Sequence, residues 1–210
     1  MFERTLEVFD EYCEKLGSQP TFNHHLAAEV KERLCQLRYI VERVRALEER
    51  ESQCQRRLQV AMSDHCKTLI EARVPASSEA APSIVQAISD RFSAMADTAL
   101  ELRILTESFY YFAARVRTIA RHNARPTPGL SSFECEGVRN IRNHLIEHPE
   151  GSASRVFAQS FSFDRPDGPA LKTGRPAPEP DVFPDPGLYR NAEEFESNLL
   201  QSLENAIKQA

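Results

Sequence analysis

Two long stretches of the sequence, residues 21–74 and 82–124, repeat apolar side chains every three or four positions and are bounded by prolines. Such spacing places the apolar side chains on one face of an α-helix, and about 40 residues of helix span roughly 60 Å. Two such helices joined by a turn around residues 75–82 favour antiparallel packing. The sequence therefore predicts an all-α bundle of long antiparallel helices. The polar run LEERESQCQRR leaves open whether the first stretch is one helix or two helices broken near residue 50.

Two further helices are expected nearer the C-terminus. Ser131 and Glu134 have the spacing of a capping box, in which two side chains satisfy the first backbone amides of a helix. This pair predicts a helix over residues 131–148, where Pro149 follows. Asn191 and Glu194 repeat the same spacing before an amphipathic segment, so the last helix is expected to begin at Asn191.

The segment between these helices is rich in proline and glycine. Apolar and polar residues alternate around Asp167-Gly168, which predicts a small hairpin, and the following prolines predict an extended connector. The sequence thus predicts a helical bundle, a non-helical insertion and a docked C-terminal helix, over residues 1–149, 150–190 and 191–210 respectively.

The composition excludes several classes of protein. The chain has only seven glycines and neither a Gly-x-Gly-x-x-Gly motif nor a P-loop, which excludes phosphate-cradling loops of those kinds. No apolar run reaches the ~18–20 residues of a membrane span, and the N-terminal segment lacks the apolar core of a signal peptide. The five cysteines are widely spaced, which favours free, mostly buried thiols in a reducing compartment. We therefore expect a cytoplasmic protein with no membrane contact and no cofactor.

The charge of the chain is unevenly distributed. The formal net charge is −5, but residues 113–148 hold six arginines against three glutamates. This basic island is suited to contact phosphate groups, and arginines on a solvated helix surface would give the same count. Charge alone leaves both interpretations open.

One chemical interpretation of the basic island is a metal site. His144, Glu147 and His148 form an H-x-x-E-H pattern, in which two histidines separated by one helical turn can share a zinc ion. A hydrolytic zinc needs a third protein ligand, and the sequence nominates none. We therefore predict no metal at this position.

A second interpretation is purely structural, because a histidine in the last turn of a helix interacts favourably with the helix dipole.

The third interpretation is a metal-free ribonuclease site. Attack by the ribose 2′-hydroxyl needs a base, an acid and a cation that holds the phosphorane oxygens. Arg142, Asn143 and His148 supply these groups, since arginine forks onto phosphate and histidine titrates near neutral pH.

The segment Arg142–His148 resembles the signature of the HEPN family. That signature is an arginine, a polar residue and then a histidine a few positions later, near the end of an all-helical domain. Arg142, Asn143 and His148 match it with five residues between the arginine and the histidine. The resemblance implies a bundle of long helices, frequently dimeric, that acts as a metal-independent endoribonuclease in toxin–antitoxin or antiphage systems. Other members of the family are non-catalytic.

Two other pairs in the chain match the same spacing, Arg117 with His122 and Arg139 with His144. Helix geometry favours the pair Arg142 and His148 over both. At about 100° per residue, Arg142 and His148 flank the apolar stripe of the helix, whereas His144 faces outward. Groups that border a buried seam can meet at a helix–helix groove or a subunit interface. Arg142, Asn143 and His148 are therefore the predicted catalytic residues.

The third helix adds candidates for RNA contact. Arg115 and His122 share one side of the predicted helix, beside the apolar stripe of Phe112, Val116 and Ile119, and are expected either to contact phosphate or only to border the core. With Arg139 they are the predicted RNA-binding residues, whereas Arg117 and Arg121 are placed on the solvated face.

The two adjacent tyrosines and the partners complete the prediction. Tyr110 and Tyr111 either stack on bases or lie at the edge of the core with a solvated hydroxyl.

The expected partners are RNA, a second copy of the chain in a C2 homodimer, and an antitoxin or other protein. The competing hypothesis is a non-catalytic helical module that mediates interaction or dimerisation.

Overall fold

The computed structural model describes residues 1–71, 81–122, 129–130, 133–142, 172–173, 183–184 and 187–210. These residues form five α-helices and one antiparallel pair of two-residue strands. The helices are α1 Glu3–Leu16, α2 His24–Glu71, α3 Ala81–His122, α4 Glu136–Arg142 and α5 Leu188–Gln209. The strands are β1 Lys172–Thr173 and β2 Phe183–Pro184. The predicted all-α class is confirmed.

Helix α2 is continuous, which settles the question left open by its polar middle. It runs for 48 residues, so a break near residue 50 does not occur. Asn23 caps its start, because the Oδ1 atom accepts a hydrogen bond of 3.1 Å from the backbone amide of Leu26. A side-chain acceptor at this position satisfies a helix amide that has no partner within the helix.

Two predicted helix starts are wrong. Helix α4 begins at Glu136, so Glu134 precedes the helix and cannot complete the predicted capping box. Helix α5 begins at Leu188 after Gly187, and Asn191 is a buried residue inside it. Asparagine is common at helix starts, but tertiary contacts override this preference at Asn191.

The strand pair lies outside the predicted hairpin. Lys172 pairs with Pro184 and Thr173 pairs with Phe183, so the strands enclose most of the proline-rich stretch that was predicted as a connector. The hairpin predicted around Asp167-Gly168 falls outside the described residues. Within the ranges given above, no helix is both long enough and apolar enough to cross a membrane.

The chain divides into two compact units, of which residues 43–103 form one. In this unit the Nε atom of Arg43 donates to the Oε1 atom of Glu101 at 2.8 Å. Farther along both helices, Arg91 lies 2.8 Å from Glu51. Because residue numbers rise on α2 as they fall on α3, the two helices are antiparallel here.

The other unit consists of residues 1–42 and 104–210. Here too α2 and α3 are antiparallel, since Glu29 pairs with Arg115 and the guanidinium group of Arg33 lies 5.1 Å from the centre of the Phe112 ring. The predicted boundaries at residues 149 and 190 both fall within this unit and stay predictions.

Helix α5 supplies much of the core of this unit. One face of it is buried along its whole length, at Leu188, Asn191, Ala192, Phe195, Leu199, Leu203 and Ala206. The Phe195 ring packs against Phe2, with ring centres 6.1 Å apart. The carboxylate of Glu196 accepts hydrogen bonds from the backbone amide of Phe2 and from the Thr5 hydroxyl. The start of α1 is thereby fixed to the last helix of the chain.

The three cysteines whose side chains are described are free. Cys135 is buried, Cys13 is partly buried and Cys35 is exposed, so Cys35 is an exception to the predicted, mostly buried thiols. Burial raises the pKa of the Cys135 thiol to about 12, so this side chain behaves as an apolar core residue.

Gly129 tests the contact between α5 and the chain that precedes α4. Its φ angle of 80° lies in the left-handed region, and an added Cβ atom would lie 2.6 Å from the Cβ atom of Ala206. We expect Gly129→Ala to lower the free energy of unfolding by about 1–3 kcal/mol, from backbone strain and overpacking together. Urea denaturation measures this change.

The control is a double-mutant cycle with Ala206→Gly. This change alone costs about 1 kcal/mol as a glycine within a helix. Because it removes the clashing methyl group, the double variant should be more stable than the sum of the two single changes implies. Additive effects would contradict the contact.

Candidate functional site

The predicted catalytic residues lie at the limit of the described chain. Arg142 is the last residue described in α4, without its side chain, and Asn143 and His148 lie outside the described residues. His122 ends α3, also without a described side chain. The proposed arrangement of Arg142, Asn143 and His148 therefore stays a prediction, and the described site is built from the residues that precede it.

The three residues before α4 place one carboxylate next to α3. Phe133 and Cys135 are buried, whereas the side chain of Glu134 is 49% exposed. This alternation is typical of an extended segment, where successive side chains point to opposite sides. The amide of Asn198 on α5 donates to the Glu134 carbonyl at 3.0 Å, and this bond holds the segment in place.

Two arginines of α3 bind the Glu134 carboxylate. Arg117 donates from its Nε and Nη2 atoms to Oε2, at 3.3 and 2.9 Å. Arg121 pairs with the other oxygen, Oε1. The side chain of Arg117 is only 13% exposed, whereas that of Arg121 is 38% exposed. The carboxylate thus links a nearly buried guanidinium group to a partly solvated one.

The placement of Arg117 on a solvated face is wrong, whereas Arg121, placed on the same face, is exposed. The predicted stripe consisted of large apolar residues, but the buried face of α3 also includes alanines, Ala113, Ala114 and Ala120. With these included, the buried sector is wider and shifts towards Arg117 and Arg121 at about 100° per residue. Arg115, placed beside the stripe, lies opposite the middle of the buried sector.

Arg139 adds a third guanidinium group to the surroundings of Glu134. It belongs to α4, is 42% exposed, and its Nη2 atom lies 3.3 Å from the Oε1 atom of Glu136. The pKa of Glu134 lies below its ordinary value, chiefly because of the hydrogen bond from Arg117 and then through the charges of Arg117, Arg121 and Arg139. We call Arg117, Arg121, Arg139 and Glu134 the arginine cluster.

Arg115 is engaged elsewhere. Its Nε and Nη2 atoms donate to the two carboxylate oxygens of Glu29 on α2, at 2.7 and 3.0 Å. This bidentate ion pair also holds the pKa of Glu29 below its ordinary value. Arg115 therefore joins α2 to α3, and a phosphate would have to compete with Glu29 for it.

Helix α4 is positioned by α5. Val138 and Ile141 are buried, and an added Cβ atom at Gly137 would lie 2.7 Å from the Oδ1 atom of Asn191. Only a residue without a side chain permits so close an approach. The same contact directs Arg139 away from α5 and towards the arginine cluster.

The two adjacent tyrosines have different surroundings. Tyr110 is fully buried, and its hydroxyl oxygen accepts a hydrogen bond of 2.7 Å from the Asn191 amide. Stacking on a base is therefore excluded for Tyr110. Tyr111 is 51% exposed, so the role of a stacking surface remains open to it.

Comparisons with protein-family models, curated proteins and solved structures find no match to this chain. Among the described residues, no group of three or more His, Cys, Asp or Glu side chains is arranged to hold a metal ion. The described site offers guanidinium groups of graded exposure around one carboxylate. Guanidinium forks match carboxylate and phosphate oxygens alike, and in the structure the oxygens that Arg117 and Arg121 bind are those of Glu134.

The tyrosine pair provides a matched test of the buried polar contact. Tyr110→Phe removes the oxygen that accepts from Asn191 inside the core, and we expect the free energy of unfolding to fall by about 1–3 kcal/mol. Tyr111→Phe makes the same chemical change at an exposed position and should alter it by less than about 0.5 kcal/mol. Thermal and urea denaturation of the two variants measure the difference; equal effects would contradict the hydrogen bond.

Proposed function

We propose that this protein is a metal-independent endoribonuclease of the HEPN kind, acting as a toxin or an antiphage effector. The observation that supports the proposal most directly is the arginine cluster. It gathers arginines from the end of α3 and the start of α4 around one carboxylate. Arg142, Asn143 and His148 follow directly in the sequence.

The proposed reaction assigns one role to each group. His148 takes the proton from a ribose 2′-hydroxyl, whose oxygen attacks the adjacent phosphorus while the bond to the 5′-oxygen breaks. An acid returns a proton to that oxygen, so the products are a 2′,3′-cyclic phosphate and a 5′-hydroxyl. Arg142 stabilises the phosphorane charge, and Asn143 orients the reacting groups. No metal is required, because the base activates the hydroxyl directly.

A second candidate function is a non-catalytic helical interaction module. Its support is a set of large side chains that are more than half exposed in the unit formed by residues 1–42 and 104–210, namely Tyr39, Ile104 and Tyr111. Ile104 and Tyr111 are seven residues apart on α3 and therefore share one face. Exposed aromatic and aliphatic side chains of this kind are frequent at protein–protein contacts.

Three variants test the catalytic proposal. His148→Ala should slow cleavage by about 10²–10⁴-fold through loss of proton transfer, and Arg142→Ala by about 10²–10³-fold through loss of charge stabilisation. His144→Ala, the matched control, should change the rate less than threefold, roughly the scale of an outward-facing surface substitution. Cleavage of a labelled RNA in the presence of chelator, with detection of the cyclic phosphate, is the measurement.

Each variant needs a thermal melt beside the assay, because loss of folding would mimic loss of catalysis. Inactivation by His144→Ala together with an active His148→Ala would show that the assigned register is wrong. Absence of cleavage by the wild type on any RNA would favour the interaction module.

The active form is proposed to be a C2 homodimer with His148 near the interface. One Arg142 and one His148 are few groups to serve as base, acid and anion-binding cation. A symmetric dimer interface would bring two copies of each together. An antitoxin or other protein partner is proposed to regulate it. Sedimentation at tens of micromolar should show a dimer, and a strict monomer at that concentration would contradict this part of the proposal.

A further inference from the structure

The arginine cluster has the composition of an occupied anion site. Arg117 and Arg121 each bind one oxygen of the Glu134 carboxylate, and Arg139 acts on the same carboxylate through its charge. A phosphodiester shares one negative charge between two oxygens, as a carboxylate does, and guanidinium groups bind both. Glu134 therefore holds a position that suits a phosphate.

We propose that Arg121 and Arg139 form a binding site for an RNA phosphodiester, and that Glu134 competes with the phosphate for Arg121 and thereby restrains RNA binding. The identity of the ligand rests on the proposed ribonuclease function. The site itself rests on the ion pairs and exposures of the cluster.

The exposures decide where the exchange takes place. Arg117 is 13% exposed and binds Oε2 with two nitrogen atoms, so it stays on Glu134. Arg121 is 38% exposed and Arg139 is 42% exposed, so both can meet a ligand from solvent. Exposed ion pairs contribute little free energy, and exchange of Arg121 from carboxylate to phosphate therefore has a low cost.

Carboxylates already hold the arginines of the cluster. Arg117 and Arg121 pair with Glu134, and Arg139 pairs with Glu136. The acidic residues nearby keep the cluster from attracting phosphate strongly while Glu134 is ionised, and its lowered pKa keeps it ionised at neutral pH.

The position of the site also suits the predicted catalytic residues. Arg139 and Arg142 are three residues apart, or about 4.5 Å along a helix axis. A strand held at Arg121 and Arg139 would therefore lie near the end of α4, which Asn143 and His148 follow in the sequence.

The test compares two substitutions with the same change of charge. Glu134→Gln releases Arg121 in the cluster, and Glu29→Gln releases Arg115, which binds both carboxylate oxygens of Glu29. The probe is a fluorescent single-stranded RNA pool of mixed sequence with 2′-O-methyl groups, which cannot be cleaved by 2′-hydroxyl attack, and anisotropy of the full-length protein measures the dissociation constant.

Glu134→Gln should bind about threefold or more tightly than wild type, the scale of an exposed ion pair, and more tightly than Glu29→Gln. Arg121→Gln and Arg139→Gln should each bind more weakly than wild type. The dependence of log Kd on log salt should steepen by about 0.7 in Glu134→Gln, the contribution of one phosphate contact to a single strand.

Several results would overturn the inference. These are equal affinities for Glu134→Gln and Glu29→Gln, unchanged binding by Arg121→Gln, or no binding by either wild type or Glu134→Gln. If Glu134→Gln melts well below wild type, Glu134→Ala replaces it with the same expected direction, and Arg121→Gln tests the site independently of Glu134.

Cleavage of unmodified RNA, assayed in parallel, separates this inference from the proposed function. Tighter binding by Glu134→Gln without cleavage by any form of the protein would contradict the ribonuclease proposal and support the phosphate site. Cleavage by wild type, with equal RNA affinities for Glu134→Gln and Glu29→Gln, would support the ribonuclease proposal and contradict the phosphate site.

Discussion

The packing of residues 129–130 and 133–138 on α5 is the constraint on which the described site depends. Four separate contacts hold this short stretch against the last helix of the chain. They are Gly129 against Ala206, Phe133 against Phe195, the Glu134 carbonyl bonded to Asn198, and Gly137 against Asn191. Two of them require glycine, because a Cβ atom would lie within 3 Å of α5. Helix α5 thus determines where α4 begins and which way Glu134 and Arg139 point.

Packing and charge have separate roles in the unit formed by residues 1–42 and 104–210. A buried side chain such as Phe195 or Tyr110 contributes about 1.5–3 kcal/mol through burial, and the Tyr110–Asn191 hydrogen bond adds specificity within the core. Exposed ion pairs contribute about 0–1 kcal/mol each. Apart from Arg117, the arginines of the cluster are too exposed to matter greatly for stability. Their concentration around one carboxylate therefore has more consequence for what the surface binds than for whether the chain folds.

The sequence predicts the long helices because their signal extends over many turns. Apolar residues every three or four positions, bounded by prolines, place α2 and α3 within a few residues of their observed ends. Helix starts are less predictable, since capping depends on a few atoms. Glu134 and Asn191 both have the sequence spacing of caps, yet the first binds Arg117 and the second binds Tyr110. Partners that are distant in the sequence determine the roles of both residues, and a local sequence pattern does not reveal such partners.

The same limit explains which site residues the sequence could find. The basic island of residues 113–148 is visible as composition, but which arginines converge depends on the small side chains that widen the buried face of α3. Ala113, Ala114 and Ala120 widen the buried face of α3 on the side of Arg117, whereas Arg115 pairs with Glu29. Counting these alanines as core would have moved Arg117 off the solvated face. The contact of Glu134 with α3 had no comparable signal, because it depends on how α5 holds residues 133–135.

The arginine cluster can hold charge but cannot transfer a proton. Arginine stays protonated throughout the physiological range, and the lowered pKa of Glu134 keeps that carboxylate ionised at neutral pH. General acid–base catalysis is most effective when the pKa of the group lies near the working pH. If this protein cleaves RNA, the proton transfers must therefore come from a side chain outside the cluster. Histidine is the residue whose ordinary pKa meets that condition, so in the proposed reaction the cluster would position the phosphate and His148 would transfer the proton.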